Sequence, residues 1–558
     1  MNYQWNILNR SNNAKEVLTG IRDWKKIPEG KMREFIDCNI TPHDPFLLTN
    51  MEKAVARIKE AMDKNEKICI IGDYDADGIT GTSALYIGLR SIFTNVIWQV
   101  PDRFKDGYGM NKRLVDVAYN DDCKLIVTVD NGIAAKEVIE YANSLGLDIV
   151  VTDHHQVKQY GIPTEITVDP HIDDNYPFKS ICGCMVAFKL IQALIPDLEF
   201  SNIDLYRELL AITTIGTITD VMDLVDENRF YVKQGLNCLA FTKNIGLRVL
   251  LEKLGLYKKD LKSDDIGYTI GPCLNATGRL ESPDIAVNLL LCDDPAEADK
   301  LADKIIKLNE KRKDLQKEAL DSLVVNDDEK FIVAVMEDIG HGLLGIIAGQ
   351  IADKYKRPCF VLGGNKEKGK LSGSGRSIYT YNIFKIIEEN GDIIVSGGGH
   401  TAACGVEINY DDLEEFKKRC NNNFSEWMQN ATEEDLTPTL DIVSEIDLGL
   451  VNERLISNID KLKPYGNGNE EPIFASLNLK VESFKVVGKN LNTIQFTFSD
   501  GHSEIKAVGF RSIKEKFEEL GEPSVVDVAF TIALNEWPKG KFTPQLLVKD
   551  IRGVVETW

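Results

Sequence analysis

The sequence predicts an α/β protein in four parts: a doubly wound parallel sheet, a long connecting helix, a smaller α/β domain and a C-terminal β-barrel. Three observations carry that expectation. From residue 46 to about 245, short apolar runs alternate with helical segments, the pattern of a parallel sheet covered on both faces. Between 296 and 323, Leu301, Ile305, Leu308, Leu315, Ala319 and Leu323 recur at helical steps and leave a charged remainder, as a helix joining two lobes would. Beyond 438, five short alternating runs (474–481, 492–498, 505–510, 525–534 and 545–551) follow one another as the strands of a small barrel do. A chain of 558 residues exceeds what one hydrophobic core serves. The expected division is a cover segment at 1–45, a sheet domain at 46–245, a connecting region at 246–325, the smaller domain at 326–430 and the barrel at 431–558.

In chain order, residues 1–45 hold Trp5, Trp24 and several loop signals, with no assignable chemistry, and 46–66 read as a helix. Next comes I-C-I-I-G-D-Y-D-A-D-G-I-T-G-T, from Ile68 to Thr82. Ile68 to Ile71 are a buried strand, Gly78 permits a sharp turn, and a Thr-rich helix start follows. Asp73, Asp75 and Asp77 alternate, so their carboxylates converge. Packed carboxylates repel one another, and burial would protonate them unless a cation sits among them.

Taken singly, this would be an Asp-rich turn capping a helix. The same grammar recurs three more times. The run 124–129 ends in Asp130-Asn131-Gly132, and 148–152 ends in Asp153-His154-His155. The run 209–218, expected as a fourth strand, is followed by Thr219-Asp220. Acid or imidazole therefore follows the carboxyl end of four runs, the edge where open α/β sheets build their sites. Carboxylates with imidazole and no thiolate suit manganese or magnesium better than structural zinc.

In the second half, a strand at 331–335 leads to His341-Gly342, which opens a helix whose amides are suited to phosphate. A strand at 392–395 is expected to run into a glycine-rich turn at 396–405, and the acidic stretch 432–438 reads as a linker.

The formal net charge of −22 excludes a protein coated with positive charge for nucleic acid, but not a local groove. Lys354 to Arg376 carries seven bases and one acid, and its glycines suit a phosphate cradle. No run approaches a membrane span, and Met1-Asn-Tyr-Gln-Trp lacks the marks of a signal peptide. The 11 cysteines are scattered, as expected of reduced thiols in a cytoplasmic protein.

The motifs D-Y-D-A-D-G (73–78), V-D-N-G (129–132), D-H-H (153–155) and T-D-V-M-D (219–223) resemble those of the DHH phosphoesterase superfamily. The finer pattern resembles the RecJ family of single-strand-specific exonucleases. It includes V-P-D-R-F-K-D-G-Y-G (100–109), G-P-C-L-N-A-T-G-R-L (271–280), S-G-S-G-R-S (372–377) and G-G-G-H-T-A-A-C-G (397–405). The resemblance implies a metal-dependent 5′-to-3′ exonuclease that hydrolyses single-stranded DNA to 5′-mononucleotides by two-metal-ion catalysis, in DNA repair and recombination. It implies two divalent ions, Mn2+ preferred and Mg2+ the alternative. The implied partners are single-stranded DNA, a single-strand-binding protein and a helicase, in the cytoplasm and away from membranes.

The ligand chemistry and the resemblance together favour Asp75, Asp77, Asp130, His154 and Asp220 as metal ligands, with Asp73 and Asp153 ligating or orienting. His155 is the family's other imidazole, expected to act in catalysis either as a ligand or as a donor to the scissile phosphate. By resemblance, Arg103 and Tyr108 contact the strand, Arg279, Ser374 and Arg376 take the terminal 5′-phosphate, and His400 meets the backbone near the scissile bond. The smaller domain corresponds to the DHH-associated domain and the barrel to an OB fold, which stacks bases on aromatics. Candidates there are Phe484, Lys485, Lys489, Phe496, Phe498, Phe510 and Arg511, most of the aromatics being expected in the core. Some relatives continue into a further C-terminal domain, and partner contacts carried by it are expected to be absent. Ile71 stands where several relatives acting on small phosphates carry a His, which disfavours pyrophosphatase activity. Two other readings share these motifs: a phosphodiesterase for cyclic dinucleotides or very short oligonucleotides, which usually lacks a barrel, and a non-catalytic scaffold, which the intact ligand set disfavours.

Overall fold

Four strands run parallel through the first half of the chain because their residues are apolar on both faces. They are β1 (Lys67–Ile71), β2 (Val96–Gln99), β3 (Cys123–Thr128) and β4 (Asp148–Thr152), and a short fifth, β5 (Thr167–Val168), joins them. The computed structural model describes residues 3–554 apart from 104, 327, 338, 366, 368, 489–490 and 537–539. The sheet order is β2-β1-β3-β4-β5, all parallel. Ile68, Ile70, Leu125, Val127 and Val150 pack into one core, while Cys69, Ile71, Ile126, Ile149 and Val151 pack into another on the opposite face. This is the doubly wound sheet expected from the alternation. Its order reverses direction at β1, so the crevice between β1 and β3 is a topological switch point.

Three helices close one side: α1 (Ala76–Arg90), α2 (Gly183–Leu194) and α3 (Ile203–Thr219). The last corrects the expectation of a fourth strand at 209–218. Its β-branched residues suggested a strand, but Thr214, Thr217 and Thr219 each return the hydroxyl to the carbonyl four residues back, at 2.8, 2.9 and 2.8 Å. Asn202 caps its first turn. Helices on several sides bury all of 209–217, and no amphipathic period is left to read there.

A π turn at Ile266–Ile270 leads into α4 (Gly271–Leu280), and the long helix expected at 296–323 is α5 (Pro295–Ser322), capped by Asp294. The second sheet comprises β6 (Ile332–Val335), β7 (Cys359–Gly363), β8 (Lys370–Arg376), β9 (Ile394–His400) and β10 (Ala403–Asn409), in the order β9-β10-β8-β7-β6. The helix α6 (His341–Tyr355) packs against it. The expected turn at 396–405 is instead a hairpin: the glycines 397–399 are themselves strand, paired with residues 404–406 of β10. Without side chains, they gave no strand signal. These elements form one compact unit, residues 40–430 with 466–468.

A separate unit is built from both ends of the chain, up to Asn39 and then 431–465 and from 469 onward. Its strands are β11 (Thr439–Ile442), β12 (Ser444–Ile446), β13 (Phe474–Val487), β14 (Thr493–Ser499), β15 (Glu504–Gly509), β16 (Val525–Glu536) and β17 (Phe542–Gly553). The last five close on themselves as a barrel, since β13 pairs with both β14 and β16. The segment expected as a cover supplies Gln4–Ile7, parallel to β11, and Arg10–Ser11, parallel to β12. Trp5 Nε1 donates to Asp550 Oδ2 at 2.7 Å, and Arg552 lies 4.0 Å over the Trp5 ring. Phe496 and Phe498 are core residues, whereas Phe484, Lys485, Phe510 and Arg511 are exposed; Lys489 lies outside the described residues. Among the described residues, no helix is long and apolar enough to cross a membrane.

Candidate metal centre and phosphate pocket

The carboxylates gather because each strand end hands its acid to a different support. After β1, Asp73 accepts from Gly109 N at 3.1 Å. Asp75 caps α1, accepting from Asp77 N and Gly78 N at 3.0 and 3.1 Å. Asp77 is held by the first turn of α2, where Gly183 N and Cys184 N donate to its two oxygens at 2.7 and 3.0 Å. Asp130, just past β3, takes a left-handed φ of 62°, which turns its side chain back over the sheet edge. A Cβ on Gly183 would lie 2.4 Å from Asp130 Cβ, so only glycine lets α2 approach that closely. Asp220 stands at the C-terminus of α3.

His154 joins these groups. Its Nε2 lies 3.1 Å from Asp130 Oδ1, 3.6 Å from Asp220 Oδ2 and 3.8 Å from Asp77 Oδ2. Asp153 turns away, accepting from Ile133 N at 2.9 Å and from His155 Nδ1 at 2.8 Å. It thereby orients the D-H-H turn. Three overlapping groups have ligand atoms within 4.8 Å of one another: Asp73, Asp75 and Asp130; Asp77, His154 and Asp220; Asp130, His154 and His155. Asp77 also lies that near Cys182 and Cys184.

The electrostatics are those of a cation site. Burial, and then the neighbouring carboxylates, push Asp73 and Asp220 up to about 8 and raise Asp75 and Asp130 as well. Burial lowers His154. Burial would lower His155 too, but the hydrogen bond and charge of Asp153 prevail and raise it to about 9. Asp130 Oδ1 and Asp220 Oδ2 are buried and accept no hydrogen bond. Oxygen and imidazole donors with orphaned buried oxygens fit a hard or borderline divalent ion.

Tyr108 reaches this centre, its hydroxyl donating to Asp130 O at 3.0 Å and lying 3.3 Å from His155 Nδ1. Arg103 lies 5.0 Å over the Tyr74 ring. Arg279 ends α4 and donates from Nη1 to Gly342 O at 2.8 Å, in the first turn of α6. Ser374 and Arg376 meet the same helix from β8: a Cβ on Gly345 would lie 3.2 Å from both Ser374 Oγ and Arg376 Nη2. Two further bases of the stretch 354–376 are committed elsewhere. Lys370 pairs with Glu407, Arg357 donates to the carbonyls of Asn326 and Glu329, and Lys366 and Lys368 lie outside the described residues. His400 is exposed at the end of β9 and belongs to none of the ligand groups.

Some supports were not singled out from the sequence. Asn131 is buried, donating to Ile71 O and Val129 O and accepting from Met110 N, so it joins the ends of β1 and β3. Asn275 accepts from Ala76 N at 3.0 Å and braces the Asp75 loop. Both lie inside quoted motifs, V-D-N-G and L-N-A-T-G, which were their only signal. Asp169 is buried beside the D-H-H turn and pushed to about 8 by burial, with no motif to mark it.

Three family models match the chain in order: the DHH family N-terminal domain at 67–217, the DHHA1 domain at 328–426 and the RecJ OB domain at 442–550. The single-stranded-DNA-specific exonuclease RecJ of Bacillus subtilis is 35% identical over 92% of this chain, which spans 65% of that protein's length. That of Escherichia coli is 31% identical, with 88% of this chain and 85% of that one aligned. Among solved structures, RecJ from Thermus thermophilus in complex with Mn2+ superposes with a TM-score of 0.82 at 26% identity, covering 99% of this chain and 80% of that one. Its complex with Mg2+ gives 0.77 at 25% identity. With the acid and imidazole cluster at the switch point of its sheet, and likeness running through nearly its whole length, the chain belongs to the RecJ family of single-stranded-DNA-specific exonucleases.

Proposed function

We propose that the chain hydrolyses single-stranded DNA from the 5′ end to 5′-mononucleotides, using two divalent ions with manganese preferred. The observation that carries this reading is the overlap of the carboxylate groups. Asp130 and His154 each belong to two of them, so the groups describe neighbouring positions with shared ligands. Asp73, Asp75, Asp77, Asp130, His154 and Asp220 would hold the ions. Bound there, they supply an activated water and offset the charge that develops on the phosphodiester.

The chain's own residues do the rest. Asp153 keeps His155 protonated, so that imidazolium can donate to a non-bridging phosphate oxygen. Tyr108 presents its ring beside the centre as a stacking surface for a base, and Arg103 meets the backbone. Polarity requires recognition of a terminus. Arg279, Ser374, Arg376 and the N-terminal turn of α6 would take the 5′-phosphate, which carries more charge than an internal phosphodiester and accepts bidentate guanidinium bonds. His400 would steady the strand from the smaller domain. The exposed Phe484, Lys485, Phe510 and Arg511 offer further strand contacts. In the cell, the same chemistry would serve repair and recombination in the cytoplasm, alongside a single-strand-binding protein and a helicase.

The test is digestion of end-labelled single strands and blunt duplex in Mn2+, with dinucleotides as a third substrate. The expected result is 5′-to-3′ release of mononucleotides from the single strand, with binding that weakens as salt rises. Equal cutting of duplex, or turnover of dinucleotides alone, overturns it.

A further inference from the structure

Two free thiols stand behind the metal centre. Cys182 and Cys184 flank Gly183 at the start of α2, and both are fully buried. The turn between them brings the two sulfurs to 3.4 Å. Their remaining partners are weak ones on α3: Cys182 Sγ lies 3.5 Å from Thr217 Oγ1, and Cys184 Sγ donates to Thr213 O at 3.3 Å. A carboxylate joins them. Asp77 accepts from the amides of the same turn, and one of its oxygens lies within 4.8 Å of both sulfurs. A Cβ on Gly216 of α3 would lie 2.3 Å from Cys184 Sγ and 2.8 Å from Asp77 Oδ1, so thiol and carboxylate face one gap that only glycine leaves open. Two sulfurs bound at about 2.3 Å to a tetrahedral ion stand about 3.8 Å apart, so the pair needs to open by only about 0.4 Å. A C-x-C sequence supplies two ligands and no more. The fold adds the third, from the loop after β1.

We propose that Asp77, Cys182 and Cys184 form a separate site for a thiophilic divalent ion, zinc above all, whose binding silences the nuclease. The silencing rests on the reading of Asp77 as a ligand of the catalytic ions. Thiolates favour zinc over manganese and magnesium, which take the oxygen and imidazole donors instead. As the ion binds, each thiol releases its proton to solvent, and a water fills the fourth position. Asp77 belongs both to this group and to the group with His154 and Asp220. An ion held by the sulfurs therefore takes a carboxylate that the catalytic ions need. The thiols are sealed from solvent, whereas His154 and Asp220 are only half-buried, so the soft ion enters through the metal centre itself.

The experiment titrates the reduced, metal-free chain with Cd2+ as the spectroscopic probe and reads the sulfur-to-cadmium charge-transfer absorption in the ultraviolet. Beside it, hydrolysis of a single strand in excess Mn2+ is measured against rising Zn2+, each protein being referred to its own uninhibited rate. The wild-type chain is expected to show the absorption and to lose hydrolysis at Zn2+ concentrations far below that of Mn2+. The double variant C182S/C184S should lack that absorption. It should also need about 10- to 100-fold more Zn2+ for the same inhibition, at least what loss of a supporting residue costs a metal site. C182A removes one sulfur and leaves the Cys184 contact to α3 in place; it should lower both readings and carries the test if the double variant melts early. Equal absorption, or equal sensitivity to Zn2+, in wild type and variants overturns the proposal. A wild-type chain that hydrolyses nothing in Mn2+ would instead overturn the proposed activity, and the Cd2+ absorption would still decide whether the thiols bind an ion.

Discussion

Asp220 has a buried oxygen with no hydrogen-bond partner and lies among other carboxylates, so its charge is useful only when a cation is present. Asp220→Asn is expected to reduce hydrolysis in Mn2+ more than about 100-fold, beyond what loss of a merely supporting residue brings. In the metal-free chain the same change removes repulsion, so the melting temperature should hold or rise. Turnover near the wild-type rate would sink the assignment. The pH dependence follows with a definite sign. Asp73 and Asp220, at about 8 when folded against an ordinary 3.8, keep protons in the folded chain that the unfolded chain has released. His155, at about 9 against 6.5, does the same over a higher range. Stability of the metal-free chain from these groups should therefore fall as pH rises from about 4 to 9. Added Mn2+ should reverse that trend, because it binds the deprotonated ligands. A chelated sample whose melting temperature climbs over that range would contradict this account. The acids and imidazoles themselves were legible because each follows an apolar run at a strand or helix end. Asn131 and the α2 amides were not, since their role depends on which chain segment arrives opposite them.

The elements differ in how much of them the sequence disclosed. The alternating runs of the barrel and the stripe of α5 carry their own periodicity, and both elements lie close to where that periodicity places them. The α3 run carries none, because burial on several sides erases the distinction between a central strand and a core helix. The glycines of β9 are hidden for the opposite reason: a strand without side chains has no pattern. At α2 the sequence G-C-M names a glycine without saying why. Its cause is the 2.4 Å that a Cβ would leave to Asp130. Gly183→Ala should displace either Asp130 or the amides that hold Asp77, lowering Mn2+ affinity about 10- to 100-fold while the chain stays folded. Titration with Mn2+ followed by calorimetry reads this directly; unchanged affinity would mean that the helix shifts without disturbing the ligands.

At the scale of the molecule, the order of domains follows from composition shifts along the chain. The partner of the first strand does not. Gln4 pairs with Thr439 across the whole intervening unit, and nothing local in either segment announces the other. Trp5 secures that pairing by its bond to Asp550, which is also bound by Lys516. Trp5→Ala should cost the barrel unit about 1–3 kcal/mol, since a half-buried ring and its indole bond to Asp550 are lost together, read from urea unfolding by tyrosine fluorescence. A change under about 0.5 kcal/mol would mean that the arm is ornamental.

That pairing also sets a timetable. The Gln4–Ile7 strand leaves the ribosome well before its partner Thr439–Ile442, which is made more than four hundred residues later, about 20–90 s at ordinary elongation rates. During that interval the arm has no sheet edge to join, while the intervening unit is already complete enough to fold. A nascent chain stalled before residue 439 should therefore expose Trp5 to solvent and to proteases, and a bulky fusion ahead of residue 3 should slow the final step of maturation more than any earlier one.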